Sequence, residues 1–441
     1  MSRSDSNLFV FTFYAIADRL GVFAKLGSIA VVDQMVVSGT RFLATLLVAR
    51  FCSPDELGLY SLGFSIVAMV AVVQESLVST PYSVLCNVRK GLGKRSYSGA
   101  VLIHHVFFAG ISLSLLLIVC TGLSYFYPNT ELLPVLWVLV ITVPLSLMWE
   151  FVRRLQFAHV TMFWALIIDS ALAAILISGL LILAASDALT AKSAYWVVAI
   201  ACAVVGLTWL LSNRRVFVLK RRSIIFIASK HWKFGRWLLG SQLVMAIYQW
   251  SSYWLFAIFL STTQTGIFSA CMNVVMLANP LTIGMANILD PRLSQAFKNG
   301  GRSEIFRVLK KVILIMGGVI FLYFIFLSLF GDFVIRVLYN NDAYLGNQHL
   351  ISVLAFMVVL GAIGTPLTLA FRALQKTDLL FKIQLVEVVL MILIFVPAIQ
   401  YFGMLGGAYA MLAGFVIGSV MRIIAIREIL NNPEDAAKAL R

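Results

Sequence analysis

Five ionisable residues stand inside stretches that are otherwise apolar: Asp33, Arg41, Glu75, Asp169 and Glu387. On insertion scales a charge at the centre of a membrane helix costs at least about 2.5–3.5 kcal/mol, so such groups persist where they face an aqueous cavity or a partner. Arg41 is the deepest cation. It follows Asp33 by eight residues, about 12 Å along a helix, and lies too deep to reach a boundary easily. Its guanidinium offers a planar fork of donors that suits phosphate oxygens. An internal ion pair with Glu75 or Asp169 would satisfy it equally, and both arrangements stay open. Glu75, Asp169 and Glu387, with Asp33 nearer a helix end, are candidate proton or sodium sites, because a buried carboxylate without a partner takes up a proton or a cation. Lys382 is a partial partner for Glu387, five residues away on an imperfectly aligned face.

A second group is polar and aromatic. Gln242, Tyr248, Trp250 and Tyr253 give one apolar stretch an aromatic and polar face that would line a sugar-accommodating cavity or form a lobe interface or interfacial belt, and Gln249 adds polarity at a depth similar to that of Arg41. Arg41, Gln249, Gln242 and Tyr248 are therefore the candidate substrate contacts. No metal or cofactor is expected. His104 and His105 are adjacent and point in different directions on a helix, so they read as interfacial polar residues. Cys52, Cys86, Cys120, Cys202 and Cys271 match no zinc or redox spacing and read as small packing residues.

These residues must be positioned by membrane-spanning helices. Charged residues make up 12% of the chain, against about 25% in soluble domains. Apolar runs recur throughout, each able to cross a hydrocarbon core about 30 Å thick. They are continuous rather than alternating, so the fold class expected is all-α and polytopic rather than a β-barrel. Twelve spans are read at 28–50, 59–86, 99–126, 131–152, 162–185, 194–212, 236–260, 265–290, 309–330, 349–371, 379–401 and 405–427. Leu8 to Leu20 reads as a helix lying in the interface, and no cleavable signal peptide is expected. Asn279-Pro280 and Thr365-Pro366 are candidate hinges, and Gly414 to Gly418 reads as a small-xxx-small packing step.

Loop charges orient the spans. The even-numbered connections hold Arg89, Lys90, Lys94 and Arg95, then Arg153 and Arg154, then eight basic residues from Arg214 to Arg236. Two more basic groups follow, from Arg292 to Lys311 and from Arg372 to Lys382. The odd-numbered connections contain only Lys192 and Arg336. Positive charge stays in the cytoplasm, so both termini are expected inside. The net charge of +15 is largely this bias. It needs no nucleic acid as partner; lipid headgroups suffice.

The two halves resemble each other. Ser53-Pro-Asp-Glu-Leu-Gly58-Leu-Tyr60-Ser61 lies 208 residues before Ser261-Thr-Thr-Gln-Thr-Gly266-Ile-Phe268-Ser269, and the same offset relates Gln34 to Gln242 and Arg41 to Gln249. Arg153-Arg-Leu155-Gln156 matches Arg372-Ala-Leu374-Gln375, and Asp169 and Glu387 follow at similar distances. Six helices per repeat make the repeats parallel. The expected organisation is an N-terminal lobe at 1–212, a basic cytoplasmic linker at 213–235 and a C-terminal lobe at 236–441.

With two six-helix lobes, the Pro54-Asp-Glu-Leu-Gly58-Leu-Tyr60-Ser61 signature and the Arg-x-Leu-Gln pairs, the chain resembles the polysaccharide flippases of the multidrug/oligosaccharidyl-lipid/polysaccharide superfamily, the Wzx-type proteins. The resemblance runs from about residue 25 to about residue 430. It implies translocation of an undecaprenyl-pyrophosphate-linked oligosaccharide from the cytoplasmic to the periplasmic leaflet, by alternating access between two lobes and without ATP. No P-loop occurs, in keeping with that expectation. A lipid-linked oligosaccharide, membrane lipids and polysaccharide assembly proteins are the expected partners. A multidrug or cation antiporter of the same superfamily is the alternative; an acidic cavity would favour it, whereas Arg41 favours the flippase. An enzyme is not expected, because the longest external connection, Gly331 to Gln348, offers only Asp332, Arg336 and Asp342.

Overall fold

The computed structural model describes residues 28–86, 91–374 and 376–431, without the side chains of 221–223, 287, 288, 290, 291, 294, 297–302, 430 and 431. The interfacial segment expected at Leu8 to Leu20, together with Arg89, Lys90 and Gln375, lies outside the described residues. Among those described there are helices and no strands, as expected for lipid-solvated backbone. The helices are α1 (Ser28–Phe51), α2 (Pro54–Gln74), α3 (Thr80–Leu85), α4 (Gly91–Phe126), α5 (Leu133–Ala158), α6 (Met162–Ala185), α7 (Ala191–Ser212), α8 (Arg221–Phe259), α9 (Thr262–Val275), α10 (Asn279–Tyr339), α11 (Gln348–Ala373) and α12 (Thr377–Asn431). A π-helical turn, Glu75–Ser79, joins α2 to α3 within one continuous span.

Ten of the described helices are long and apolar enough to cross a membrane. One of the ten is α12, which breaks at Gly403 (φ 58°) and so supplies two crossings. α8 is not among the ten, because Gln242, Gln249, three serines from Ser241 to Ser252 and several Tyr and Trp dilute its apolar character. Its 39 residues nonetheless run alongside α2, α9 and α12. With the break in α12 counted, the described helices supply about eleven apolar crossings, and α8 stands at the place of the seventh span read from the sequence.

Several boundaries move. α5 runs to Ala158 and ends where His159 caps it and Val160 turns to φ 60°, so Arg153 and Arg154 lie inside a helix and not in a connection. α10 extends to Tyr339, which places Arg336 on a helix and shortens the external connection expected from Gly331. The basic linker is not a loop throughout: a short 3-10 turn, Arg214–Val216, leads into α8 at Arg221.

All connections alternate between two faces. The face at which α8 begins carries the basic residues and is called here the basic face. Toward the opposite face the apolar interior is continuous across both halves, joining Leu57, Tyr60, Leu139, Phe268, Tyr339 and Leu354. Toward the basic face it divides. One cluster (Val78, Tyr82, Tyr97, Phe151, Leu155) belongs to the N-terminal half and also takes Ile227 of α8. The other (Leu289, Leu293, Leu309, Phe371, Ile383) belongs to the C-terminal half. The two halves thus share one apolar interior toward the opposite face and have separate ones toward the basic face.

Candidate functional site

The N-terminal half buries an ionic network built on one turn of α5. Trp149 and Arg153 are four residues apart and share a helix face; Glu150 and Arg154 share the next one round. On the first face Arg153 bridges two carboxylates. Its Nε meets Asp169 Oδ2 of α6 at 2.5 Å, and a terminal nitrogen meets Asp33 Oδ2 of α1 at 2.7 Å. Trp149 Nε1 donates to the other oxygen of Asp169 at 2.9 Å. The side chains of Asp33 and Asp169 are 0% and 1% exposed, so nothing but protein solvates them. Asp33 Oδ1 accepts no hydrogen bond. On the second face Arg154 lies 2.7 Å from Glu150 and 2.8 Å from Glu75, which opens the π-turn of the second span.

Asp33 and Asp169 thus share Arg153, while Glu75 pairs with Arg154 on the neighbouring face of α5. Arg153, Arg154, Trp149 and Glu150 were missed by sequence reasoning. The signal was present: no glycine or proline interrupts the chain between Pro144 and Thr161, so nothing stops the helix at residue 152.

Arg41 sits beside this network and makes no ion pair or side-chain hydrogen bond among the described residues. Neither expected pair, with Glu75 or with Asp169, forms: those carboxylates are taken by Arg154 and Arg153. Glu150, Arg153 and Asp169 are its charged neighbours at longer range. Its guanidinium carbon lies 5.8 Å from the centroid of the Phe64 ring. Phe64 packs edge-on against Trp250 of α8 at 5.4 Å, and Trp250 against Tyr253 at 5.5 Å. The Arg41 side chain is exposed. Four carboxylates therefore face three arginines in this region, and one negative charge is left over.

The C-terminal half has its own buried pair, and again the arginine is one that sequence reasoning passed over. Glu387 meets Arg422, both in α12 but on either side of its break. Lys382 is exposed and forms no pair with Glu387. Gly418 makes the pair possible: a Cβ there would lie 2.5 Å from the Glu387 carboxyl. The small-xxx-small step thus packs a charge pair as well as a helix. Asp169 and Glu387 are equivalent by the repeat, but their partners are not. Arg153 serves the first from α5, while its repeat equivalent Arg372 is exposed and Arg422 serves the second.

The remaining candidates divide. Tyr248 packs on Phe415 of α12 at 5.6 Å and lies near the Glu387–Arg422 pair, away from Arg41. Gln249 is exposed and Gln242 half-buried, and neither has a recorded side-chain hydrogen bond. His105 is buried, stacks on Phe151 and bonds Gln74 Oε1 at 2.9 Å, so it is a core residue rather than an interfacial one. His104 bonds the carbonyl of Ile224 in α8. Among the described residues no group of His, Cys, Asp and Glu has the disposition of a metal site.

Comparison with known proteins places this geometry. A family described as polysaccharide biosynthesis proteins matches residues 47–345. No curated protein sequence matches the chain. Solved structures resemble it over nearly its whole length. An inward-facing multidrug resistance MATE family transporter of the MOP superfamily has TM-score 0.75 at 15% identity, covering 92% of this chain and 96% of that one. The lipid II flippase MurJ, in an inward closed conformation, has TM-score 0.73 at 16% identity, covering 92% and 89%. A MOP superfamily transporter from Pyrococcus furiosus, described as having a binding pocket of reverse polarity, has TM-score 0.64 at 14% identity, covering 93% and 96%. At these identities the likeness is one of fold, and the fold is that of transporters.

Proposed function

The chain belongs to the family of polysaccharide biosynthesis proteins, and on that premise we propose that it is a flippase carrying an undecaprenyl-pyrophosphate-linked oligosaccharide between the leaflets of a bacterial inner membrane. The basic face is the cytoplasmic one, by the distribution of Lys and Arg. The lobes, 1–212 and 236–441 joined by 213–235, rock about the opening between them. The observation that supports this reading is Arg41: an exposed guanidinium beside Phe64 that makes no ion pair among the described residues. A cation held at depth without a partner favours an anionic ligand, and the fork of donors favours a pyrophosphate. Phe64, Trp250 and Tyr253 beside it offer aromatic faces to the first sugar.

The network around Asp33 supplies the energy coupling. Its extra carboxylate takes a proton or a sodium ion, and Asp33 Oδ1, buried and without a donor, is the acceptor left for it. Binding there weakens the hold of Asp33 on Arg153 and so loosens α1, which carries Arg41. Glu387 is already matched one to one by Arg422 and carries no second ion.

The test is transport in proteoliposomes with a defined lipid-linked oligosaccharide, under imposed proton and sodium gradients. Arg41→Ala should abolish transport with accumulation unchanged, and Arg41→Lys should restore only part, since a point charge replaces a fork. Asp33→Asn should remove the dependence on the gradient. Transport of organic cations and none of the lipid would instead establish the antiporter, a reading that the surplus carboxylate beside Arg41 keeps in view.

A further inference from the structure

The segment that leads into α8 is docked along one side and bare along the others. Ile227, His231 and Gly235 recur every four residues, share one side of the helix and lie buried against the N-terminal half. His231 Nε2 and the Tyr97 hydroxyl of α4 are 2.7 Å apart, and His104 Nε2 donates to the Ile224 carbonyl at 2.9 Å. A Cβ on Gly235 would stand 2.5 Å from the Ser76 carbonyl oxygen, so the helix comes close to the second span there. Just before the helix, the Val218 N–H donates to the Arg95 carbonyl at 3.1 Å, and the Arg95 guanidinium donates to the carbonyl of Arg215.

The other sides carry cations interleaved with rings. Lys230, Lys233 and Arg236 are exposed, and so are Phe226, Trp232 and Trp237. Lys230 Nζ stands 4.5 Å from the centroid of the Phe226 ring, and Arg236 Cζ 5.6 Å from that of Trp237. A ring face attracts a cation and so limits where a long side chain swings. None of the three cations forms an ion pair among the described residues. The sequence holds no Asp or Glu between Asp187 and Asp290, so no carboxylate of this stretch neutralises them.

The height of the patch follows from the length of α8. Along the helix, Arg236 lies about 35 Å before Phe259 and Lys230 about 44 Å. A hydrocarbon core is about 30 Å thick, and about 40–45 Å with its headgroup layers. With Phe259 at the far edge of the core, Arg236 and Trp237 stand at the level of headgroups. Lys230 stands just outside them, and its long side chain spans the difference.

We propose that Lys230, Lys233 and Arg236, with Phe226, Trp232 and Trp237, bind the headgroups of anionic phospholipids in the leaflet at the basic face. The cations meet the phosphodiesters, and the rings lie among the glycerol and upper acyl groups, where Trp settles in membranes. A soluble polyanion would leave those rings in water. A zwitterionic lipid offsets its phosphate with an ammonium, so the net negative lipid is the better match. Because the opposite side of the segment is already docked, the patch is presented in one orientation, and little order has to be gained on binding. The site is separate from Arg41: Trp250, which packs on Phe64 beneath that guanidinium, lies about 21 Å further along α8 than Arg236. The proposal goes beyond the transporter reading and holds whatever the chain carries.

The test needs no transport substrate. The full chain, purified in detergent, is titrated with dioleoylphosphatidylglycerol or dioleoylphosphatidylcholine while its melting temperature is followed. The anionic lipid should raise the melting temperature saturably, and the zwitterionic one should need at least about tenfold more for the same rise. Lys230→Gln, Lys233→Gln and Arg236→Gln together should raise the half-saturating amount of phosphatidylglycerol by about tenfold or more. Lys310→Gln with Lys311→Gln, which removes two exposed cations of α10, should leave it unchanged. If the triple variant does not accumulate, Trp237→Ala decides: its ring is 77% exposed, so truncation removes no core packing, and it should weaken the lipid response severalfold. Equal responses to the two lipids, or a wild-type response in the triple variant or in Trp237→Ala, overturn the proposal. So does stabilisation by inorganic pyrophosphate equal to that by the anionic lipid, because the cations would then serve a soluble ligand.

Discussion

Removing the guanidinium of Arg153 would leave Asp33 and Asp169 facing each other inside the N-terminal half with no counter-charge. Breaking a buried pair in this way costs about 3–5 kcal/mol, because the surviving charge has lost water and partner alike. Arg153→Met should therefore lower the melting temperature in detergent sharply. Adding Asp33→Asn and Asp169→Asn to it should recover most of the loss, since no charge is then left alone. Arg41→Met, close by in space, should not shift the melting temperature, as no ion-pair partner is orphaned. Equal destabilisation by both single variants would contradict the assignment of Arg153 to structure and of Arg41 to ligand. The residue types were legible from the sequence: Asp33, Glu75 and Asp169 stand out against apolar neighbours. Their partners were not, because Arg153 and Arg154 fall just beyond the span end read at residue 152, whereas the helix runs on to Ala158.

At the scale of elements, the break in α12 ties the last two crossings into one apolar column with the Glu387–Arg422 pair between them. Gly403 there adopts φ 58°, a region that costs a residue with a Cβ about 1–2 kcal/mol. Gly403→Ala should therefore reduce stability modestly with the α12 halves still packed, and a thermal shift of Arg422→Ala combined with it should be close to the sum of the two, since the sites are far apart along the helix. α8 shows the reverse relation between pattern and structure. Its dilute apolar character was read as a polar and aromatic face, and the structure uses that face in two ways. Ile227 and His231 pack on the N-terminal half, while Tyr248, Phe256 and Trp250 serve the C-terminal half and the opening. A helix contributed by one repeat but anchored on both is placed to carry movement from one to the other.

For the whole molecule, orientation follows from the uneven Lys and Arg content of its two faces. Cysteines at Asn129 and Asp187, both exposed on the opposite face, should be labelled from outside intact spheroplasts, and cysteines at Lys220 and Lys376 should not. Labelling of position 220 from outside would invert the arrangement. The class of the molecule, an all-helical bundle of many apolar spans, was determined by the sequence alone, because lipid solvates each span separately and forces every backbone group to bond within its own helix. Membership of a transporter fold was also legible, through the loop signature at Pro54 to Ser61. Three things were decided only by tertiary structure: which arginine meets which carboxylate, that Gly58 and Gly266 meet across the repeat, and that Arg41 makes no ion pair among the described residues. Such contacts join residues 120 or 208 positions apart. They depend on the rotation and tilt of whole helices against each other, and a periodic apolar pattern holds no record of either, since lipid accepts any face that the other helices leave to it.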